Sequence, residues 1–178
     1  MRIYLLCLIF YLCFSANLLT VQAQTCNDHM VASTPDSQLK DNKNGTITDS
    51  RTGLMWKQCL EGYTGSTCKR DIDLVVPTSF QWKTALQLPV VVNNGSGFAG
   101  YHDWRLPNFK ELRSIVEEKC CNPAINLTRF PGDSWGLVWS ESPRTSGMSA
   151  WVVDFAYGNS RSAVIYLYMS VRLVRGGQ

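Results

Sequence analysis

His102 and Asp103 are adjacent, and a histidine beside a carboxylate is the first arrangement here that could activate a nucleophile. The segment around them, Gly100-Tyr101-His102-Asp103-Trp104-Arg105, reads as extended, and neighbours in an extended chain point to opposite sides. They make a poor base and orienting acid. Cys120 and Cys121 are the second candidate, since two adjacent thiols could serve an oxidase. They fall where a structural disulfide is expected, at the end of a predicted helix. Among the 14 acidic residues no pair stands out for glycoside hydrolysis. Only His29 and His102 could join cysteines on a metal, and no Cys-Xaa-Xaa-Cys occurs. We therefore expect no catalytic residue, no metal and no cofactor, and read the chain as non-enzymatic.

Binding chemistry has more material. Trp135, Tyr157, Tyr166 and Tyr168 could stack on sugar faces, and Arg144, Arg161, Arg172 and Arg175 could meet sulfate or carboxylate groups. The expected ligand-binding set is Arg144, Tyr157, Arg161, Tyr166, Tyr168 and Arg172. Tryptophans on alternating strand positions are usually core, and Trp56, Trp104, Trp139 and Trp151 are assigned there. Asp103 and Arg105 are read as a structural ion pair.

Composition limits the partners. The chain has 178 residues, 17% charged and 11% aromatic, enough for one domain with a real core and unlike a disordered segment. Residues 1–23 read as a signal peptide. Arg2 precedes an apolar run from Ile3 to Phe14, and Val21-Gln22-Ala23 offers small residues at the positions that a signal peptidase reads. The run is too short for a membrane span. A lipid anchor on Cys13 or Cys26 is the weaker reading. The remaining 24–178 form the domain, with no membrane span, exported to the periplasm, the cell surface or the medium. Loss of Arg2 takes the net charge from +3 to +2. A chain so near neutrality lacks the basic face that nucleic acid needs.

Loss of Cys7 and Cys13 leaves five cysteines, Cys26, Cys59, Cys68, Cys120 and Cys121, which should largely pair in an oxidising compartment. Cys59 and Cys68 bracket a Gly/Ser/Thr-rich loop. Cys26 is expected to reach Cys120 or Cys121, and one thiol is left over.

Turn and cap signals divide the chain. Asn44-Gly45 within 41–49 is a hairpin signal, and the same Asp/Asn spacing fails as a calcium loop because Lys43 stands at a ligand position. Ser50-Arg51-Thr52-Gly53 is a second turn, followed by a buried strand Leu54-Met55-Trp56. Thr78 and Gln81 form a capping box for a helix that Pro89 should end, with Trp82, Ala85 and Leu86 inward. Asn108 and Glu111 form another, for a helix carrying Phe109, Leu112, Ile115 and Val116 on one stripe. The C-terminal third alternates: Leu137–Ser140, then Trp151/Val153/Phe155 as an aromatic face, then Ala163 to Met169 with Tyr166 and Tyr168 on one side, then Val171–Arg175. The fold class is α+β: a single compact domain of two helices, antiparallel hairpins and a strand-rich C-terminal third.

Several segments match one family in order. They are Asp41-Asn42, Asn44 to Asp49 and Thr52-Gly53-Leu54-Met55-Trp56; Gly100 to Asn108 with Lys110-Glu111-Leu112; Asn122-Pro123-Ala124-Ile125-Asn126 with Phe130-Pro131; Trp139-Ser140; Ala150 to Phe155; and Val171 to Gly177. Together they resemble the Lcl C-terminal domain family, named for the C-terminal domain of a collagen-like bacterial adhesin. The resemblance implies adhesion, with a sulfated glycosaminoglycan or another cell-surface component as ligand. The collagen stem is absent from this chain, so the adhesin's trimer is not carried over. Pro89 and Leu173 stand where many members have cysteines, and the subgroup pattern implied is Cys26–Cys120 and Cys59–Cys68, with Cys121 odd. A more distant similarity, to C-type-lectin-like and formylglycine-generating-enzyme-like folds, implies a C-type-lectin-like architecture and, remotely, an oxidase. A structural or protein-interaction module of the cell envelope, with no glycan ligand, is the other alternative. Alkylation of the folded, oxidised protein should label at most one thiol; two accessible thiols would favour the oxidase.

Overall fold

The computed structural model describes residues 23–70, 77–132, 136–145 and 147–176. The expected signal peptide, apart from Ala23, lies outside the described residues, and so does Trp135. The chain begins with β1 (Thr25–Cys26) and continues through β2 (Leu39–Asp41), β3 (Thr46–Asp49) and β4 (Met55–Lys57). A small hairpin of β5 (Tyr63–Thr64) and β6 (Lys69–Arg70) precedes α1 (Trp82–Asn93) and α2 (Phe109–Arg113). Then come β7 (Cys120–Cys121), β8 (Leu137–Pro143), β9 (Ser149–Asp154), β10 (Asn159–Val164) and β11 (Val174–Arg175). The architecture is mixed: two helices among several small antiparallel sheets.

The central layer is the sheet β10-β9-β8. Its register pairs Val138 with Val153 and Trp139 with Val152. Directly opposed residues share a face, so the first pair faces one way and the second the other. Val138 and Val153 pack with Leu112 and Ile115 from the α2 region, and Phe109 stacks on Trp151 at 4.9 Å. Trp139 and Val152 pack with Ala85 of α1, and Trp82 Nε1 donates to Ser140 O at 2.8 Å. The sheet is therefore covered by a helix on each side: Trp151, Val153 and Phe155 share the α2 face as expected, and the Val152 face is buried as well. The second sheet, β11-β4-β3-β2, aligns Val174, Trp56 and Ile47 across three strands and closes the core of α2.

The β2–β3 hairpin forms at the Asn44-Gly45 signal. The residues at positive φ are Lys43 (63°) and Gly45 (81°), not Asn44. Asn44 instead uses its side-chain carbonyl to accept from Thr46 Oγ1, and Asp41 is taken by Lys43. The Asn108–Glu111 capping box is present with both bonds, at 2.9 and 2.8 Å. The helix behind it is only five residues long. Ser114 turns the chain out, and Ile115 and Val116 enter the core from the following turn.

The first helix departs further from expectation. Gln81, not Thr78, is its N-cap, and no side chain caps it. Leu86 is 40% exposed, and the helix runs through Pro89 to Asn93. An internal proline costs about 3 kcal/mol. The far end is held from outside the helix: Asn93 Nδ2 donates to Trp104 O at 2.7 Å and Asn93 Oδ1 accepts from Trp104 N at 2.9 Å. The predicted 171–175 strand is regular only at Val174–Arg175, although Leu173 and Val171 carbonyls still accept from Lys57 and Glu61 amides. Tyr166 and Tyr168 fall in a turn after β10, not on one side of a strand.

Asp103 and Arg105 do not pair with each other. Arg105 makes a bidentate contact to Glu111, at 2.6 and 2.8 Å, and also donates to Gly176 O. Asp103 binds Arg175 at 2.7 Å. The bridge between Arg105 and Val174 sets these partners by bringing β11 alongside the motif. Disulfides join Cys26 to Cys120 and Cys59 to Cys68, and Cys121 is a free thiol.

Burial pushes the Glu111 carboxyl up, but Arg105 and the Asn108 amide outweigh it and hold it below its ordinary 4.5. Burial likewise raises Glu117, and the amides of Ser33, Thr34 and Lys119 bring it below 4.5. A carboxyl depressed in the fold stabilises above its unfolded pKa, and that stability is lost as pH falls through the folded value. Stability should therefore decline from about pH 4.5 downward. Glu111→Gln should cost about 2 kcal/mol in urea unfolding at neutral pH, and less under acid, where the native residue is itself protonated.

Candidate functional site

The residues expected to bind ligand are not gathered in one place. Asn159 pairs with Asp154 at one end of the β9–β10 hairpin, and Val164 pairs with Ser149 at the other. Tyr157, 65% exposed, sits at the first end. Tyr166, 59% exposed, lies beyond the second, with Arg144 on the adjoining β8–β9 turn, whereas Tyr168, 68% exposed, lies beside Gly136 and Leu137 at the start of β8. The Arg144 guanidinium lies 5.1 Å from the centre of the Trp151 ring, so that aromatic is already covered. Arg161 is exposed on the edge strand β10 opposite Val152.

Arg172 leaves the set. It is 5% exposed, and its Nη1 donates to the carbonyls of Lys57 and Gln58 while its guanidinium stacks 4.7 Å from the centre of Phe130. Burial pushes it down to about 9, with Glu61 pulling the other way, so it stays charged at neutral pH. It is a brace under the sheet. Arg175 is likewise committed, to Asp103 and to the face of Tyr101 at 3.9 Å. His102 Nδ1 lies 2.9 Å from Asn93 O, so His102 and Asp103 serve different partners and form no base–acid couple. Cys120 is tied to Cys26, which removes the adjacent thiol pair.

The chief concavity lies elsewhere. A cleft of about 1020 Å³ opens between the β2–β3 hairpin tip, the loop closed by Cys59–Cys68 and the C-terminal half of α1. Its apolar wall includes Phe98, Leu88 and Val92, and its polar side includes Lys57, Glu61 and Asn44. They come from several elements. Lys57 is the last residue of β4, opposite Thr46, and Glu61 follows one turn later. Val92 is in α1, and Phe98 is held by its backbone to Tyr101. Gly45 sits against Phe98, where an added Cβ would lie 3.1 Å from Cζ.

The charges of the cleft are internally matched. Lys57 Nζ lies 2.6 Å from Glu61 Oε1, and the side chains are 12% and 10% exposed. The same ammonium stands 4.1 Å from the centre of Phe98. The contact is a close ionic one, and Glu61 Oε1 is buried within it. Lys43 at the rim is bound to Asp41. The result is an ammonium, its carboxylate partner and an aromatic ring, all lining one cleft. That set can offer a hydrogen bond from the ammonium to a hydroxyl-bearing ligand while the ligand's C–H face lies on the ring. A second cavity of about 20 Å³, behind the cleft beside Arg172, is too small for a ligand.

Only one sequence signal hinted at this site: Lys57 and Glu61 four residues apart, beside the Cys59–Cys68 loop. Phe98 and Val92 had none, because their role comes from where α1 ends. Among the described residues no group of three His, Cys, Asp or Glu could hold a metal. A family model described as the Lcl C-terminal domain matches residues 45–175. No curated protein matches the chain.

Lys57→Met should strand the Glu61 carboxylate and cost about 3 kcal/mol, whereas Lys57→Met with Glu61→Met should recover most of it. Denaturant unfolding of the two single variants and the double variant measures this, and purely additive losses would contradict a coupled pair.

Proposed function

This chain belongs to the Lcl C-terminal domain family, and from that premise we propose that it is an exported, non-catalytic binding module that takes carbohydrate at a cell surface. The observation that carries the reading is the cleft holding Lys57, Glu61 and Asn44 against Phe98. Large concave sites with an apolar wall and a few convergent polar groups are where ligands bind. Two disulfides support the exported setting. A C-type-lectin-like architecture, implied by the order of motifs, agrees with the reading as an analogy of fold alone.

The chemistry of the cleft narrows the ligand. Lys57 and Lys43 each have a carboxylate partner, so the cleft favours hydroxyls, or a weakly charged sugar, over a densely sulfated chain. A sulfated glycosaminoglycan would draw instead on Arg144 and Arg161, which are exposed and have no carboxylate partner among the described residues.

One observation favours a second reading, a protein-interaction module. Met148, Val164, Tyr166, Leu167 and Tyr168 are all between 49% and 68% exposed along the β8–β9 turn, the end of β10 and the segment that follows it. A shallow groove of about 380 Å³ adjoins them at Ser79, Leu137 and Tyr168. Clustered exposed apolar residues mark contact surfaces.

Retention of the full chain, produced with export so that both disulfides form, separates these readings on immobilised neutral glycans and on heparin with a salt gradient. Thr64→Trp, an exposed β5 position lining the cleft, should weaken neutral-glycan retention roughly tenfold or more, and Tyr166→Ala with Tyr168→Ala should leave it unchanged. Heparin retention lost on Arg144→Ala and Arg161→Ala would move the site to the sheet end. Flow-through on every glycan would leave the protein-interaction module.

A further inference from the structure

Two independent observations meet at Gln24. The sequence places a signal-peptidase site after Ala23, which would make Gln24 the first residue of the mature protein. Among the described residues, Gln24 is the first with an anchored side chain. Its side-chain Nε2 donates to Pro123 O at 2.7 Å and to Ile125 O at 2.8 Å. Both acceptors belong to the loop after β7, and β1 continues the docking by pairing Thr25 with Cys121 and Cys26 with Cys120. Ala23, on the other side of the expected cut, is exposed. Two carbonyls around one nitrogen admit only a donor with two hydrogens, which selects an amide and rejects a carboxylate.

An N-terminal glutamine has its own chemistry. The free α-amine attacks the side-chain Cδ, the Cδ–Nε2 bond breaks, ammonia leaves, and a five-membered lactam remains with no terminal charge. No oxidant or other reactant is consumed. In this fold the leaving nitrogen is the one held by Pro123 and Ile125, and the Cδ is drawn across to that loop.

We propose that Gln24 is the mature N-terminus and that the carbonyls of Pro123 and Ile125 form a receptor for its side-chain amide that blocks its cyclisation in the folded protein. The receptor lies within the segment following Cys120–Cys121, so the Cys26–Cys120 disulfide keeps it in place. This goes beyond the ligand reading and does not depend on it.

The test uses the full chain exported from a bacterial host. Intact mass and N-terminal sequencing should give a chain starting at Gln24 with its amine free. The purified protein is then incubated at one temperature and pH, native or reduced and denatured. Loss of ammonia should be slower in the native sample by roughly tenfold to a hundredfold, the worth of two net hydrogen bonds. A different first residue, a chain already cyclised on isolation while folded, or equal rates in the two samples would overturn the proposal. The separation of rates is measured on the same preparation that is tested for glycan retention. That separation together with glycan flow-through would leave this proposal standing while the carbohydrate reading fell.

Discussion

The fork of Arg105 on Glu111 is the contact on which the rest of the molecule turns. One carboxylate caps α2 through the Asn108 amide and receives both ends of a guanidinium. That guanidinium also reaches Gly176 O, while the Arg105 backbone exchanges two bonds with Val174. The start of a helix, the extended segment before it and the end of the chain are fixed to one another by two side chains. Bidentate geometry makes this a matter of angle as well as energy. Val174 then stands opposite Trp56, which carries the constraint into the second sheet and the core. The second ion pair, Asp103 with Arg175, repeats the link from the next residue along at the surface.

The cleft is a by-product of that frame. β4 ends at Lys57, opposite Thr46, and the chain there turns into the Cys59–Cys68 loop. The opposite wall is set by Trp104. Its backbone grips Asn93 and its Nε1 donates to Phe98 O at 3.0 Å, placing the helix end and the Phe98 ring together. Thus the motif 100–111, whose Asp103, Arg105 and Glu111 are all occupied internally, positions a site to which it contributes none of the described lining.

What was legible in the sequence was what short range decides. The Asn108 cap needs only a glutamate three residues on, and the hairpin at 41–49 needs only a residue free to turn at Gly45. The inward residues of the central sheet followed from period two. What was not legible depends on partners far along the chain. Arg172 looked like a ligand residue on a terminal strand, yet its acceptors are Lys57 and Gln58, 115 and 114 positions away. Helix α1 should have stopped at Pro89; Trp104 holds its end from 11 residues beyond Asn93. Asp103 and Arg105 were close enough in sequence to suggest a pair, and each found a better-placed partner once β11 had docked. Tyr166 and Tyr168 read as one side of a strand by alternation, but β10 ends at Val164 and both fall beyond it.

The Cys26–Cys120 bond also gives the domain a mechanical direction. The ladder between β1 and β7 is two residues long, and by itself it would part under a small load. With the disulfide across it, a pull on the N-terminus passes through covalent bonds into the loop before β8 and reaches the packed core without opening a strand. The C-terminus has no such link. A pull from that side meets only β11, two residues held to Met55–Trp56 and to the Arg105 fork, which would unzip one contact at a time. A tether at the front of the chain would therefore bear force, and one at the back would yield.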